Sequence, residues 1–462
     1  MSALITLEST FAGELIAPDD HGYDEARRLF NGAIDKRPAL IARCAGPEDV
    51  RIALADARER GLVVAVRGGG HSAAGYSSCD DGIVIDVGPM KGIDIDVEGR
   101  TGRFGAGLAW GELDAATQRH GLAVTGGRVT HTGIAGLTLG SGSGWIERKY
   151  GSTCENLISA QVVTADGRVL RASADENAEL LWGLKGGGGN FGVVTEFEFR
   201  LHPVGPQVFG GMIIHPRAAG GELLRFYRDF MAQAPDEAGG GLAFVTAPPE
   251  PFVPKEARGK PATALILVYS GDPHRGEEVF RPLIEWGEPW VKLVQPMPYV
   301  AVQQLIDAGN PWGISEYPKV DYLAELPDEA IDAAVDKAAE ARSPFTQLIF
   351  GPLGGALARA DRSAMALNTP DAKWVYFCLA TWQDPALAEA EVAWARSFMD
   401  AMRPWAAGAA PPNFMSPDDG AARLRSYYGE DKFRRLVALK DKYDPDNVFA
   451  LNQNIAPSMT RT

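Results

Sequence analysis

The chain has 462 residues, and its 60 acidic against 45 basic side chains give a formal net charge of −15. That balance argues against a nucleic-acid binder, which needs a basic surface, and against attachment to an anionic membrane. Hydrophobic residues at 45% and charged residues at 23% describe a globular chain, long enough for two or three domains, and no uncharged apolar run approaches the roughly 18 residues of a membrane span.

The opening segment, residues 1–8, has no basic region before its short apolar patch and does not read as a secretory signal. Gly46-Pro47-Glu48-Asp49 starts a helix, with proline and acids in the first turn, and Arg58-Glu59-Arg60-Gly61 ends it with bases and a terminating glycine. Strands follow at Leu62–Val66 and Gly82–Val87. Val162 to Leu170 reads as a hairpin turning at Asp166-Gly167, and Val193 to Leu201 as a strand with alternating faces. From about residue 206 the texture changes. Strands are expected at 207–216, 262–271, 346–352 and 374–381, and amphipathic helices at 221–234, 327–341 and 386–402. Together they suggest an antiparallel sheet covered by helices. A Pro-, Ala- and Gly-rich stretch from Pro404 to Pro417 leads to a last helix over Lys432–Tyr443.

Glycine is unusually abundant, 53 of 462 residues, and much of it lies in three clusters: Gly68 to Gly75, Gly133 to Gly144 and Gly186 to Gly192. Runs of glycine expose backbone N–H groups and form anion-binding nests. A dinucleotide-binding Rossmann turn needs strand, GxGxxG and helix, but a second strand follows the first cluster and the spacing fails. No Gly-Lys-Ser/Thr of a P-loop is present. Gly140-Ser141-Gly142-Ser143-Gly144 puts glycine where a serine elbow needs its nucleophile. The residues leave two readings open, a phosphate or dinucleotide cradle of another kind and glycine-rich structural turns. Cys44, Cys79, Cys154 and Cys378 match no metal or redox spacing and suit a reducing cytosol. The seven histidines form no metal pair either, so no metal is expected.

Val66-Arg67-Gly68-Gly69-Gly70-His71-Ser72 resembles the flavin-attachment motif of the berberine bridge enzyme-like oxidases, of the vanillyl-alcohol oxidase superfamily. Further blocks agree: Arg148-Lys149-Tyr150-Gly151 with Glu155-Asn156-Leu157, then Leu181 to Thr195, then Tyr443-Asp444-Pro445 with Leu451-Asn452-Gln453-Asn454-Ile455. The resemblance implies an α+β fold. Residues 1–205 would form a two-subdomain FAD-binding domain, 206–405 a substrate domain with a helix-covered antiparallel sheet, and 406–462 a return to the FAD domain.

It also implies a covalent bond from His71 to the flavin 8α-methyl carbon. Val129 stands where many relatives carry a second, cysteinyl tether, so a single link is expected, with Cys154 the alternative second tether. Cofactor contacts are implied at Arg67, Gly68, Gly69, Gly70, Ser72, Gly75 and Tyr76, and at Val129, Thr132, Gly133, Gly136, Leu137, Gly142 and Gly144. Asn156, Val194, Asn452 and Asn454 complete the set. Thr132 falls at the family's oxygen gatekeeper, where a small β-branched side chain favours an oxidase. The expected function is hydride removal from a small alcohol or amine, with electrons passed to O2 to give hydrogen peroxide. The alternatives are a flavin dehydrogenase with another acceptor, and a flavin-holding protein without turnover. Where relatives carry a tyrosine or glutamate base this chain has Phe414 and, less directly, Phe377. Either another group acts, with Tyr322, Tyr376 and Tyr427 the candidate proton acceptors, or no strong base is needed, since an amine that binds neutral can lose hydride without one. Trp312, Phe350, Phe377, Asn413 and Phe414 are the candidate pocket residues, between the two domains. The expected protein is a cytoplasmic monomer or homodimer.

Overall fold

The computed structural model describes residues 11–368, 371–408 and 410–459; the opening segment read for targeting lies outside them. Eighteen strands form four sheets among the described residues. In the first, β1 (Glu14–Ile16), β2 (Leu40–Arg43), β3 (Val64–Arg67) and β4 (Ile83–Asp86) run in the order β1-β2-β4-β3, with β4 parallel to both β2 and β3. The second joins β5 (Ile93–Asp96), β6 (Thr101–Gly105), β8 (Leu157–Val163), β9 (Val169–Ala172) and β10 (Val193–Arg200) in the antiparallel order β5-β6-β10-β8-β9. A short pair, β7 (Leu122–Ala123) and β11 (His202–Pro203), closes this half. The helix Pro47–Arg60 ends where expected, because Gly61 adopts a left-handed conformation (φ 62°) that other residues resist.

The fourth sheet has seven antiparallel strands: β12 (Gln207–Pro216), β13 (Ala238–Thr246), β14 (Pro261–Tyr269), β15 (Val291–Pro298), β16 (Ser315–Leu323), β17 (Gln347–Pro352) and β18 (Trp374–Trp382), ordered β15-β12-β14-β13-β17-β18-β16. The helices Gly220–Met231, Asp328–Glu340 and Ala388–Met402 cover one face, burying Leu223, Tyr227, Ile331 and Phe398 against Leu265, Phe350 and Tyr376. Three of these strands escape the sequence pattern. β13 begins Ala-Gly-Gly-Gly, and β15 and β16 contain prolines that alternation rules reject. Both proline-bearing strands lie at the sheet's edges, where a missing N–H costs no ladder bond.

The last helix is longer than expected, Gly420–Tyr443, and breaks at Gly429 (φ 71°, ψ 163°). It returns to the first half. Lys440 Nζ donates to Asp444 Oδ2 (2.7 Å) and to the carbonyls of Asn190 and Phe449, wholly buried. The two halves are stitched along one seam. Thr130 donates through N and Oγ1 to the Asp307 carboxylate (2.9 and 2.5 Å), and Arg148 donates to the carbonyls of Leu353 (2.5 Å) and Ala234 (3.2 Å). Among the described residues no helix is long and apolar enough to cross a membrane.

Candidate flavin and substrate site

A cavity of about 1310 Å³ opens between the glycine clusters and the uncovered face of the seven-stranded sheet. All three clusters reach it: Gly68–Gly70 from the turn after β3, Gly133, Gly136 and Gly140 from the second, and Gly188, Gly189 and Gly192 from the third. The first two meet backbone to backbone. A methyl group on Gly69 would overlap the Gly133 main chain, and one on Gly133 the Gly69 main chain. Glycine is thus required there by contact rather than by turn geometry. Gly136 and Gly189 face open space, which leaves main chain exposed along the cavity wall.

His71 follows the first cluster and lines the cavity. Its ring stacks on Phe30 (centroids 4.2 Å, planes at 11°) and meets Trp312 edge-on. Its Nε2 lies 2.8 Å from Nδ1 of His131, whose Nε2 lies 3.0 Å from the Asn310 carbonyl oxygen. A carbonyl can only accept, so His131 Nε2 carries a proton. In neutral His131 the Nδ1 then accepts from His71 Nε2–H, and the network assigns His71 a bare Nδ1. Burial, with a smaller contribution from His131, pushes the His71 imidazole down to about 3, so the ring is neutral and keeps a nucleophilic lone pair.

Of the other expected cofactor contacts, Ser72, Tyr76, Val129, Thr132, Leu137, Val194 and Asn452 also line the cavity. Six expected contacts do not reach the cavity. Arg67 is buried, paired with Asp86 (2.8 Å) and donating to the Ala26 carbonyl. Gly75, Gly142 and Gly144 turn toward Ile34, Thr153 and the Gly126 carbonyl. Asn156 donates to the carbonyls of Tyr150 and Ser152, and the buried Asn454 Oδ1 lies outside the lining.

The substrate side departs further from expectation. Phe377 and Phe414 line the cavity as an edge-to-face pair (centroids 5.1 Å, 70°), beside Asn413, which donates to the Leu137 carbonyl. Phe350 and Tyr376 do not reach it. They lie under the covering helices, because alternation along β17 and β18 turns them to the opposite face from Ile349 and Phe377. Tyr427 is buried on the last helix, where its hydroxyl accepts from Asn368 N (3.3 Å). Tyr322 lines only a small side pocket behind Phe377. Trp312 is 49% exposed and contacts the histidine pair without lining the cavity. None of the three tyrosines is placed to take a proton from a molecule in the cavity. Burial raises all three phenols and the Cys154 thiol, the latter to about 12.

The structure brings forward residues that sequence reading left without a role. Phe30, His131 and Asn310 surround His71 from three distant segments. Glu316, on β16, lines the cavity, and burial alone raises its carboxyl to about 7. Ser77 Oγ and Asn452 Oδ1 line the cavity as buried polar atoms without a partner among the described residues. Orphaned hydroxyl and amide groups beside glycine-lined main chain fit a polar, phosphate-bearing cofactor such as FAD. Among the described residues no cluster of His, Cys, Asp or Glu is arranged to hold a metal.

The family described as FAD binding domain matches residues 38–173, and that described as berberine and berberine-like matches 412–456. The chain is 29% identical to (R)-6-hydroxynicotine oxidase of Paenarthrobacter nicotinovorans, with 99% of each covered. It is 29% identical to an FAD-linked oxidoreductase of Dictyostelium discoideum, covering 93% of this chain and 91% of the other. The crystal structure of 6-hydroxy-D-nicotine oxidase from Arthrobacter nicotinovorans superimposes with a TM-score of 0.86 at 29% identity, over 97% of this chain and 99% of that one. A BBE-like protein of Physcomitrella patens superimposes at 0.88 over 99% of both chains, at 22% identity, a likeness of fold.

Proposed function

Since the chain belongs to the berberine bridge enzyme-like FAD-linked oxidoreductases of the vanillyl-alcohol oxidase superfamily, we propose that it is an oxidase of a small alcohol or amine, with its flavin bonded to His71. When bound, FAD supplies the two-electron acceptor for a substrate hydride and hands the electrons to O2, giving hydrogen peroxide. The residues proposed to hold it are Gly68–Ser72, Gly133, Gly136, Leu137, Val194 and Asn452, which share one wall of the cavity.

The observation that carries this reading is the setting of His71. Its ring is neutral, clamped on Phe30, and presents the one nitrogen that His131 leaves unprotonated. A lone pair held in place is what bond formation to an electrophilic carbon requires. Thr132 lines the same cavity two residues before the Ile134–Gly140 helix, and its small side chain supports access of O2. Cys154 has a thiol that burial keeps protonated, which supports a single tether.

The test is acid precipitation of the purified protein. Flavin is expected to stay with the wild-type pellet and to leave it in His71→Ala, and peroxide is expected when an amine and alcohol panel is turned over. Flavin released from the wild type would overturn the covalent link. Substrate-driven bleaching that air fails to reverse would overturn the oxidase assignment.

A further inference from the structure

The cavity holds an unpaired carboxylate. Glu316 is clamped through its main chain to the loop that follows His71. Its N–H donates to Asn31 Oδ1 (3.0 Å), and Asn31 Nδ2 donates to the carbonyls of Glu316 (3.0 Å) and Ala73 (3.2 Å). The carboxylate itself makes no hydrogen bond or ion pair among the described residues.

The charged and hydroxyl groups of the neighbouring elements are engaged elsewhere, and Gln347 on β17 adds a neutral amide to the lining. Lys319, on the opposite face of β16, pairs with Asp418 and Asp419. Thr381, opposite Glu316 in the sheet, donates to the Phe345 carbonyl (2.5 Å). Arg128, across the cavity, is held by Glu147 (2.8 Å) and Ser143. The remaining titratable groups of the lining are His71, which is neutral, Tyr76 and Glu250. Around Glu316 the walls are Pro318, Ile349, Phe377, Leu379 and Phe414.

A lone carboxylate in an apolar chamber is costly until it gains a proton or a cation. Among the described residues no cation comes to it. We propose that Glu316 recognises the substrate, pairing with the ammonium group of an amine whose flat apolar body lies against Phe377 and Phe414. It takes one N–H proton from the ammonium. The freed nitrogen lone pair then drives hydride from the adjacent C–H, leaving an iminium ion. A bound flavin would accept the hydride and pass its electron pair to O2, and Glu316 then releases the proton it holds to water. This assignment rests on the flavin oxidase reading and narrows its alcohol-or-amine choice to amines.

The experiment uses flavin-loaded protein under anaerobic conditions, titrating visible flavin absorption with two probe pairs: benzylamine against benzyl alcohol, and N-methylbenzylamine against benzyl methyl ether. Wild type is expected to bind each amine at least about tenfold more tightly than its neutral partner above about pH 8, and to lose that preference below about pH 6. Glu316→Gln is expected to lose it at both, and Glu316→Asp to keep it. An absence of amine preference in wild type, or a preference that survives in Glu316→Gln, overturns the proposal. Acid precipitation of the same samples separates this from a failure of the flavin reading, which would leave the pellet colourless in wild type as well. Should Glu316→Gln fail to fold, the wild-type pH dependence decides alone, since neutral probes report no shift with pH.

Discussion

Nε2 of His71 sits 2.8 Å from Nδ1 of His131, and when the His131 ring is neutral that spacing leaves Nδ1 of His71 as the nitrogen free to react. The Asn310 carbonyl accepts from Nε2–H of His131, and the Nδ1 of a neutral His131 ring then accepts from Nε2–H of His71. The relay joins residues 60 and 179 positions apart in the chain. It also gives the proton of His71 somewhere to go when Nδ1 forms a bond.

His131→Ala is therefore expected to slow covalent flavin attachment by about a hundredfold, the usual contribution of a positioned proton acceptor. Non-covalent binding should survive. In-gel flavin fluorescence over time, after adding FAD to apoprotein, measures the rate. An unchanged rate would mean that His131 only packs against His71.

Cys154→Ala is expected to leave acid-stable flavin at the wild-type level. The thiol is fully buried and burial raises it to about 12, so little thiolate exists to react near neutral pH. Peptide mass mapping of the flavin-bearing fragment reads the outcome.

Glu316 ties stability to pH. Its carboxyl stands at about 7 in the folded chain against an ordinary 4.5. A raised folded value contributes stability below the unfolded value and loses it as pH rises toward the folded one. Glu316→Gln should therefore gain on wild type by about 2 kcal/mol between pH 4 and pH 8. Urea midpoints at both pH values check the sign.

Asp444→Asn tests the return of the chain. Asp444 accepts from buried Lys440 and from the main-chain N–H groups of Val448 and Phe449. Removing its charge strands a buried ammonium, which costs about 3 kcal/mol. A urea midpoint within error of wild type would contradict the assignment.

Gly69→Ala is expected to fail to hold flavin. The added methyl meets the Gly133 main chain, which has no flexible end to yield. Visible absorbance of the purified variant is the measurement.

Much of this was legible from the residues. The helix ended by Gly61, the Asp166-Gly167 turn, most elements of the seven-stranded sheet and its covering helices, and the glycine motif before His71 are local features, each carried by a few adjacent residues. Three strands were not legible. Glycines occupy β13 because a side chain on Gly239 would strike the Trp145 carbonyl of the other half, and prolines occupy β15 and β16 because those are edges. Both are tertiary reasons. Of the candidate proton acceptors, Tyr376 misses the cavity for a related cause: which face of a strand meets a cavity depends on what covers the other face. For Tyr376 that is the helix Ala388–Met402, through Phe398.

The sequence by itself carried the three glycine clusters, because close backbone approach demands glycine wherever the chain folds, and the motif around His71 that resembles a flavin-attachment site. Only the tertiary structure decided the chemistry around it. His131, Asn310, Phe30 and Glu316 carry no mark in their local sequence. They become functional when segments as far apart as Asn31 and Glu316, 285 residues, close over one cavity. There burial keeps His71 neutral, and Glu316 is left without a cation among the described residues.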